Sequence, residues 1–183
     1  MNQTEHQYQE ASERCESVFI KKTHDYGTAW RILRTSSLTD QLFIKAKRIR
    51  SIEVNQEQKI EEGVEPEYIG LINYSAMALI QLDLGDSEEL EIKPEVAKSM
   101  YQTEMLKTKE LMLAKNHDYG EAWRDMRISS LTDLILMKIL RLKQIEDNDG
   151  LTLASEGPEG SYRDIINYAM FALIKLSEKK QLQ

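Results

Sequence analysis

His24-Asp25-Tyr26-Gly27-Thr28-Ala29-Trp30-Arg31 decides the architecture of this chain. It is written a second time, 93 residues on, as His117-Asp118-Tyr119-Gly120-Glu121-Ala122-Trp123-Arg124. From position 24 to 40, thirteen of seventeen residues are identical to their partners at 117 to 133. Shared helix propensity preserves residue class but not identity, so the match marks a tandem duplication. Its period exceeds the roughly 20–50 residues of solenoid repeats. Two units sharing one core is the economical arrangement.

Outward from this stretch, each copy reads as three helices. The first covers about 4–23 and again 95–116, where Met100, Met105, Leu106, Leu111, Met112 and Leu113 recur at helical spacings. Gly27 and Gly120 stand where these helices should stop, since glycine tolerates the backbone of a helix C-terminus. The second helix starts at Ser36-Ser37-Leu38-Thr39-Asp40 and at Ser129-Ser130-Leu131-Thr132-Asp133. The S-x-x-D spacing of Ser37/Asp40 and Ser130/Asp133 predicts a capping box. The third starts near Pro66-Glu67 and Pro158-Glu159. Ile69, Ile72, Ala76, Leu79 and Ile80 keep the phase of Ile166, Met170, Leu173 and Ile174. Its displacement is 94, so the preceding loop gained one residue. The predicted fold is all-α: two pseudo-symmetric three-helix repeats packed into one helical bundle. Their spans are 1–83 and 95–183, joined by an acidic linker at 84–94.

Composition narrows the function. The 183 residues hold 31 acidic and 24 basic side chains, net −7, a field that disfavours general nucleic-acid binding but permits a local basic pocket. The single Cys15 forms no intrachain disulfide. The N-terminus lacks signal-peptide character, and no apolar run approaches the ~20 residues of a membrane span. A cytoplasmic protein without membrane contact is expected, and homo-oligomerisation is compatible with it.

Lys45 and Arg48, repeated as Lys138 and Arg141, are the most informative candidates. In the second copy they interrupt an apolar run, Leu134 to Leu142. Residues three apart share a helix face, and Ile135 and Leu142 place Lys138 beside the buried stripe. An ammonium there needs a counter-charge, either a protein carboxylate or a bound phosphate. Tyr26, Trp30, Arg31 and Arg34, with Tyr119, Trp123, Arg124 and Arg127, combine aromatic faces for stacking with guanidinium groups for phosphate. Core packing is the competing role for the tryptophans. His24-Asp25 and His117-Asp118 suit proton transfer or metal ligation, yet adjacent residues on a helix diverge by about 100°; a histidine complementing a helix C-terminus is the plainer reading. Asp164 and Asn167 share a face with Tyr168 beside them, able to ligate a cation or to answer Lys138 and Arg141. The first copy keeps Asn73 and Tyr74 but has Gly70 in place of the aspartate.

The ordered string K-x-H-D-Y-G-x-A-W, K-x-x-R and D-x-x-N-Y resembles the nucleotide modification associated domain of type 1, a helical family of bacteria and phages, here duplicated. More distantly the layout is similar to the MazG-like all-α nucleoside triphosphate pyrophosphatases, which bind Mg²⁺ through clustered carboxylates. The resemblance implies a nucleotide or other phosphate-bearing ligand, Mg²⁺ as cofactor, Lys138 and Arg141 on phosphate, and Asp164 as metal ligand. Asp164, His117 and Asp118 are the catalytic candidates. The chain departs from the pyrophosphatases: Glu53 and Glu57, or Glu146, Asp147 and Asp149, do not reproduce the E-x-x-E and E-x-x-D pairs. Three readings follow: a nucleotide-binding protein acting in nucleotide or DNA-base modification, a Mg²⁺-dependent pyrophosphatase, and a non-catalytic helical interaction module. The sharpest functional expectation lies in Lys138 and Arg141 facing Asp164.

Overall fold

A computed structural model of the chain describes residues 2–55, 63–154 and 157–182. Glu57 lies outside them. The described helices are α1 (Gln3–Tyr26), α2 (Thr35–Asn55), α3 (Glu65–Leu84), α4 (Pro94–Tyr119), α5 (Ile128–Asp147) and α6 (Pro158–Gln181). Short 3-10 turns, Ala29–Ile32 and Ala122–Asp125, lead into α2 and α5. Among the described residues there is no strand, and the fold is an all-α bundle.

The centre is a four-helix arrangement in which α3 packs on α6 and α2 on α5, with α2 also against α3 and α5 against α6. The reason is visible in composition. α3 is buried almost without a break from Leu71 to Gln81, and α6 from Ile165 to Ile174. A helix that is apolar nearly all round belongs inside. α2 and α5 bury one stripe each: Leu38, Leu42, Ala46 and Ile49, and in register Leu131, Ile135, Ile139 and Leu142. α1 and α4 lie outside, each packed across both α3 and α6. The stripe of α1 runs Tyr8, Ala11, Cys15, Phe19; burial pushes the Cys15 thiol up to about 12. In α4 it runs Ala97, Tyr101, Met105, Met112, while Leu106, expected on that face, is exposed because its neighbour Met105 turns inward.

The two repeats are interlocked by paired bonds. The Thr39 hydroxyl lies 2.8 Å from Tyr162 Oη and donates to Glu146 at 2.6 Å. Its counterpart Thr132 lies 2.8 Å from Tyr68 Oη and donates to Glu53 at 2.9 Å. Tyr8 donates to Asn167 Oδ1, and Tyr101 to Asn73 Oδ1. The asparagine amides go on to the Thr108 and Cys15 carbonyls. Asn73 and Asn167 are therefore helix-to-helix links, which is the common state of a buried amide.

The expected capping boxes are absent. α2 begins at Thr35 and α5 at Ile128, with Arg127 in the N-cap position and no side-chain cap. Ser37 and Ser130 therefore fall inside the first turn. Asp40 and Asp133 reach across instead, to Lys143 at 2.7 Å and Arg50 at 3.8 Å.

Candidate functional site

The repeated stretch forms the end of one helix and the start of the next. His24, Asp25 and Tyr26 are the last residues of α1, and His117, Asp118 and Tyr119 the last of α4. Gly27 (φ 61°) and Gly120 (φ 64°) turn the chain, a backbone that a side chain strains. Among the described residues His24 and His117 each meet only the neighbouring aspartate, Nδ1 to Oδ1 at 3.2 and 3.1 Å, and all four side chains are mostly exposed. Tyr26 and Tyr119 are exposed as well. Among the described residues no three histidine, cysteine or acidic side chains converge as a metal cage requires.

The arginines after the tryptophans divide into anchors and free groups. Arg31 is buried, donating to the Ser87 and Glu89 carbonyls at 2.8 and 3.0 Å and to Gln81. Thr28 accepts from the Ile92 amide and donates to the Leu90 carbonyl, so this turn grips the connection between repeats. In the second copy Arg124 binds Glu121, Glu178, Gln7 and Thr4, gripping the start of α1. The duplicated turn thus clamps the entry of the opposite repeat, the connection leading into α4 in one case and the first turns of α1 in the other. Four of its polar groups are committed to that task. Arg34 and Arg127 are exposed and make no ion pair among the described residues.

Lys45 and Lys138 occupy matching places on α2 and α5, and each is answered differently. The Lys138 ammonium lies 2.7 Å from Asp164 Oδ2, and Lys115 donates to Asp164 Oδ1 at 2.6 Å. Both oxygens of Asp164 therefore face a lysine, which leaves a divalent cation to compete with two ammonium groups. Tyr168 beside it is half-buried, and burial together with the Asp164 charge raises its phenol. Arg141 is exposed, over a surface hollow with Gln144, Asn148 and Leu151. In the first copy, Lys45 and Arg48 both turn to the buried Glu67, Lys45 at 3.4 Å. Glu67 stands one helical turn before Gly70, where the second copy has Ser161 and Asp164. A Cβ added at Gly70 would lie 2.6 Å from Lys45 Cε, so this lysine lies across the glycine backbone.

The first copy also carries an open cleft at this place. A cavity of about 370 Å³ is lined by Phe19, Lys22, Lys45, Gly70, Asn73 and Tyr74. A second, of about 300 Å³, continues past Tyr26, Trp30 and Leu33 and shares Phe19, Lys22, Tyr74 and Met77 with the first. Together they are of ligand size. Lys45 sits 5.7 Å from the Tyr74 ring centre, and Lys22 makes no ion pair among the described residues. Trp30 is half-buried, tilted against Phe19 at 6.5 Å. The matching tryptophan is closed: Trp123 stacks flat on Phe171 at 4.2 Å under the Arg124 guanidinium. Met77 in the first copy stands where Phe171 stands in the second.

Lys22 and Lys115 are site residues that spacing alone did not single out, although both stand in the K-x-H-D-Y-G string. Glu67 carried no repeat signal, because its counterpart is Ser161.

The fold and this site define a pseudo-symmetric all-α protein with a duplicated basic–aromatic turn. The chain belongs to the nucleotide modification associated domain 1 family, whose model matches it twice, at residues 22–82 and 115–176. Each match spans the repeated turn, the α2 or α5 lysine and most of α3 or α6. No curated protein and no solved structure matches the chain. No described helix is long and apolar enough to cross a membrane.

Proposed function

We propose that this protein binds a nucleotide in the first repeat, as the recognition step of a role in nucleotide or DNA-base modification. The observation that carries the reading is the pair of adjoining cavities, basic at one end and aromatic at the other. Lys22 and Lys45 supply positive charge for phosphate, while Tyr74, Trp30 and Tyr26 offer faces on which a base stacks. A local basic cleft on a chain of net charge −7 selects small anionic ligands over long polyanions, whose remaining charges the rest of the surface repels. The family description supports the same ligand class. The second repeat serves mainly as the structural half, its lysines answered by Asp164 and its tryptophan packed on Phe171.

Trp30 provides the test. In a Trp123→Phe variant it is the only tryptophan, and a bound base changes its emission. A nucleotide panel is expected to alter that fluorescence and to raise the melting temperature, with both effects lost in Lys45→Met. A panel that changes neither signal refutes the reading.

A further inference from the structure

In the second repeat a carboxylate is clamped between two ammonium groups, Lys115 at 2.6 Å and Lys138 at 2.7 Å from Asp164. The first repeat keeps both lysines, as Lys22 and Lys45 in register, but removes the carboxylate: position 70 is glycine. A cavity lies beside that spot, lined by Lys22, Lys45 and Gly70, with the Lys45 stem across the glycine itself. We propose that the cavity is a phosphate subsite whose occupant takes the place that the Asp164 carboxylate holds in the second repeat, and that the occupant is a nucleoside monophosphate. This rests on the nucleotide-binding reading of the cleft and adds the position, the stoichiometry and the phosphate number.

Charge sets the phosphate number. Lys45 and Arg48 share the single carboxylate of Glu67, and Lys22 on the same cavity makes no ion pair among the described residues, which leaves about two positive charges uncompensated. A phosphate monoester carries about −1.5 to −2 near neutral pH and balances that surplus. Further phosphates exceed that surplus, since Lys22 and Lys45 are the charged side chains that line the two cavities. Lys45 is free to make the exchange. It holds Glu67 only at 3.4 Å, whereas Arg48 makes the closer contact and stays with the carboxylate when Lys45 leaves. The lysine stem lying over Gly70 is a flexible chain with room to swing into the cavity. In the second repeat, Asp164 and the Trp123–Phe171 stack occupy the equivalent space, so one ligand binds per chain.

The experiment is calorimetric titration of the full chain with nucleoside monophosphates and triphosphates, repeated on Gly70→Asp and Gly70→Asn. Asp164 shows that this register accepts an aspartate, and the folding of both variants is checked by circular dichroism and melting temperature. The expected result is one equivalent per chain and tighter binding of a monophosphate than of its triphosphate. Gly70→Asp should weaken binding by at least about ten-fold, because a built-in carboxylate then occupies both lysines. Gly70→Asn, of the same size but uncharged, should lose less than about three-fold. Two equivalents per chain, tighter triphosphate binding, an unaffected Gly70→Asp, or equal loss in both variants would overturn the subsite while leaving nucleotide binding intact. If the unaltered chain binds no nucleotide at all, the functional reading itself is refuted.

Discussion

Lys138 Nζ lies 2.7 Å from the Asp164 carboxylate, with both side chains more than four-fifths buried. Lys115, about half exposed, holds the other oxygen. Asp164→Ala leaves a buried ammonium without its counter-charge and should cost about 2 kcal/mol, less than a fully buried pair because Lys115 can turn to water. Lys138→Met keeps the Lys115 contact and should cost about 1 kcal/mol or less. Urea denaturation of the two variants measures the difference, and equal losses would mean that Lys115 contributes nothing.

The paired Thr–Tyr–Glu clusters predict a symmetric response. Tyr68→Phe removes the hydroxyl beside Thr132 and Glu53, and Tyr162→Phe its counterpart beside Thr39 and Glu146. Each should cost about 1 kcal/mol. The two values should agree closely, since the surroundings are near copies. A large inequality would place the pseudo-symmetry in the backbone alone.

Burial raises the carboxyl groups of Glu53 and Glu146 above the ordinary range, with Thr132 and Thr39 partly offsetting it. For such a group the unfolded state loses its proton first as pH climbs, so stability falls between the ordinary carboxylate value and the raised native one. The double Glu53→Gln, Glu146→Gln variant should lack that decline, and its stability relative to the parent should grow as pH rises through the window. Glu121 acts with the opposite sign: Thr4 and Arg124 hold its carboxyl low, so its contribution fades only at more acidic pH. Melting temperature against pH for both proteins separates the windows.

Arg31 holds the connection between repeats through two backbone carbonyls and the Gln81 amide oxygen. Arg31→Ala should destabilise the chain by about 1.5–3 kcal/mol, the range for hydrogen bonds to a charged group. It should also expose residues 85–93 to proteolysis. Limited digestion followed by mass measurement of the fragments locates the cut; unchanged resistance there would show that Thr28 holds the segment alone.

Because the repeats share one core, neither should stand alone as a monomer. Residues 1–84 by themselves expose the faces of α2 and α3 that α5 and α6 cover. The fragment should self-associate or lack a cooperative melt, whereas co-expression with residues 85–183 should restore a compact heterodimer. Size-exclusion chromatography and circular dichroism report both outcomes.

The helix pattern was legible because it depends on local periodicity and on glycine and proline punctuation. Gly27, Gly120, Pro66, Pro94 and Pro158 all lie at or within two residues of helix ends. The capping boxes were misread because a serine three before an acid is also compatible with the inside of a first turn. What separates the two is the preceding 3-10 turn, which the tertiary fold sets. Leu106 was misplaced for a related reason: consecutive apolar residues in α4 do not say which of them turns inward.

The partner of each charge was less legible. Sequence spacing set both Lys138 and Arg141 toward Asp164, of which Lys138 alone pairs with it among the described residues, and marked Gly70 as the place where the copies differ. It could not weigh Glu67, which appears once, nor see that Lys115 shares Asp164, because ion pairing between helices depends on separations that only packing fixes. It also turned attention to the second copy, whose motif is fuller, although the open cleft lies in the first.

The sequence by itself determined the duplication, the six described helices and the identity of the repeated residues, since these follow from identity at a fixed offset and from periodicity along the chain. Only the tertiary structure decided that the repeated His-Asp-Tyr-Gly turn is chiefly a clamp, and that one lysine meets a carboxylate while its twin borders a cavity. A charge's role depends on what lies within a few ångströms of it, and those neighbours arrive from other helices.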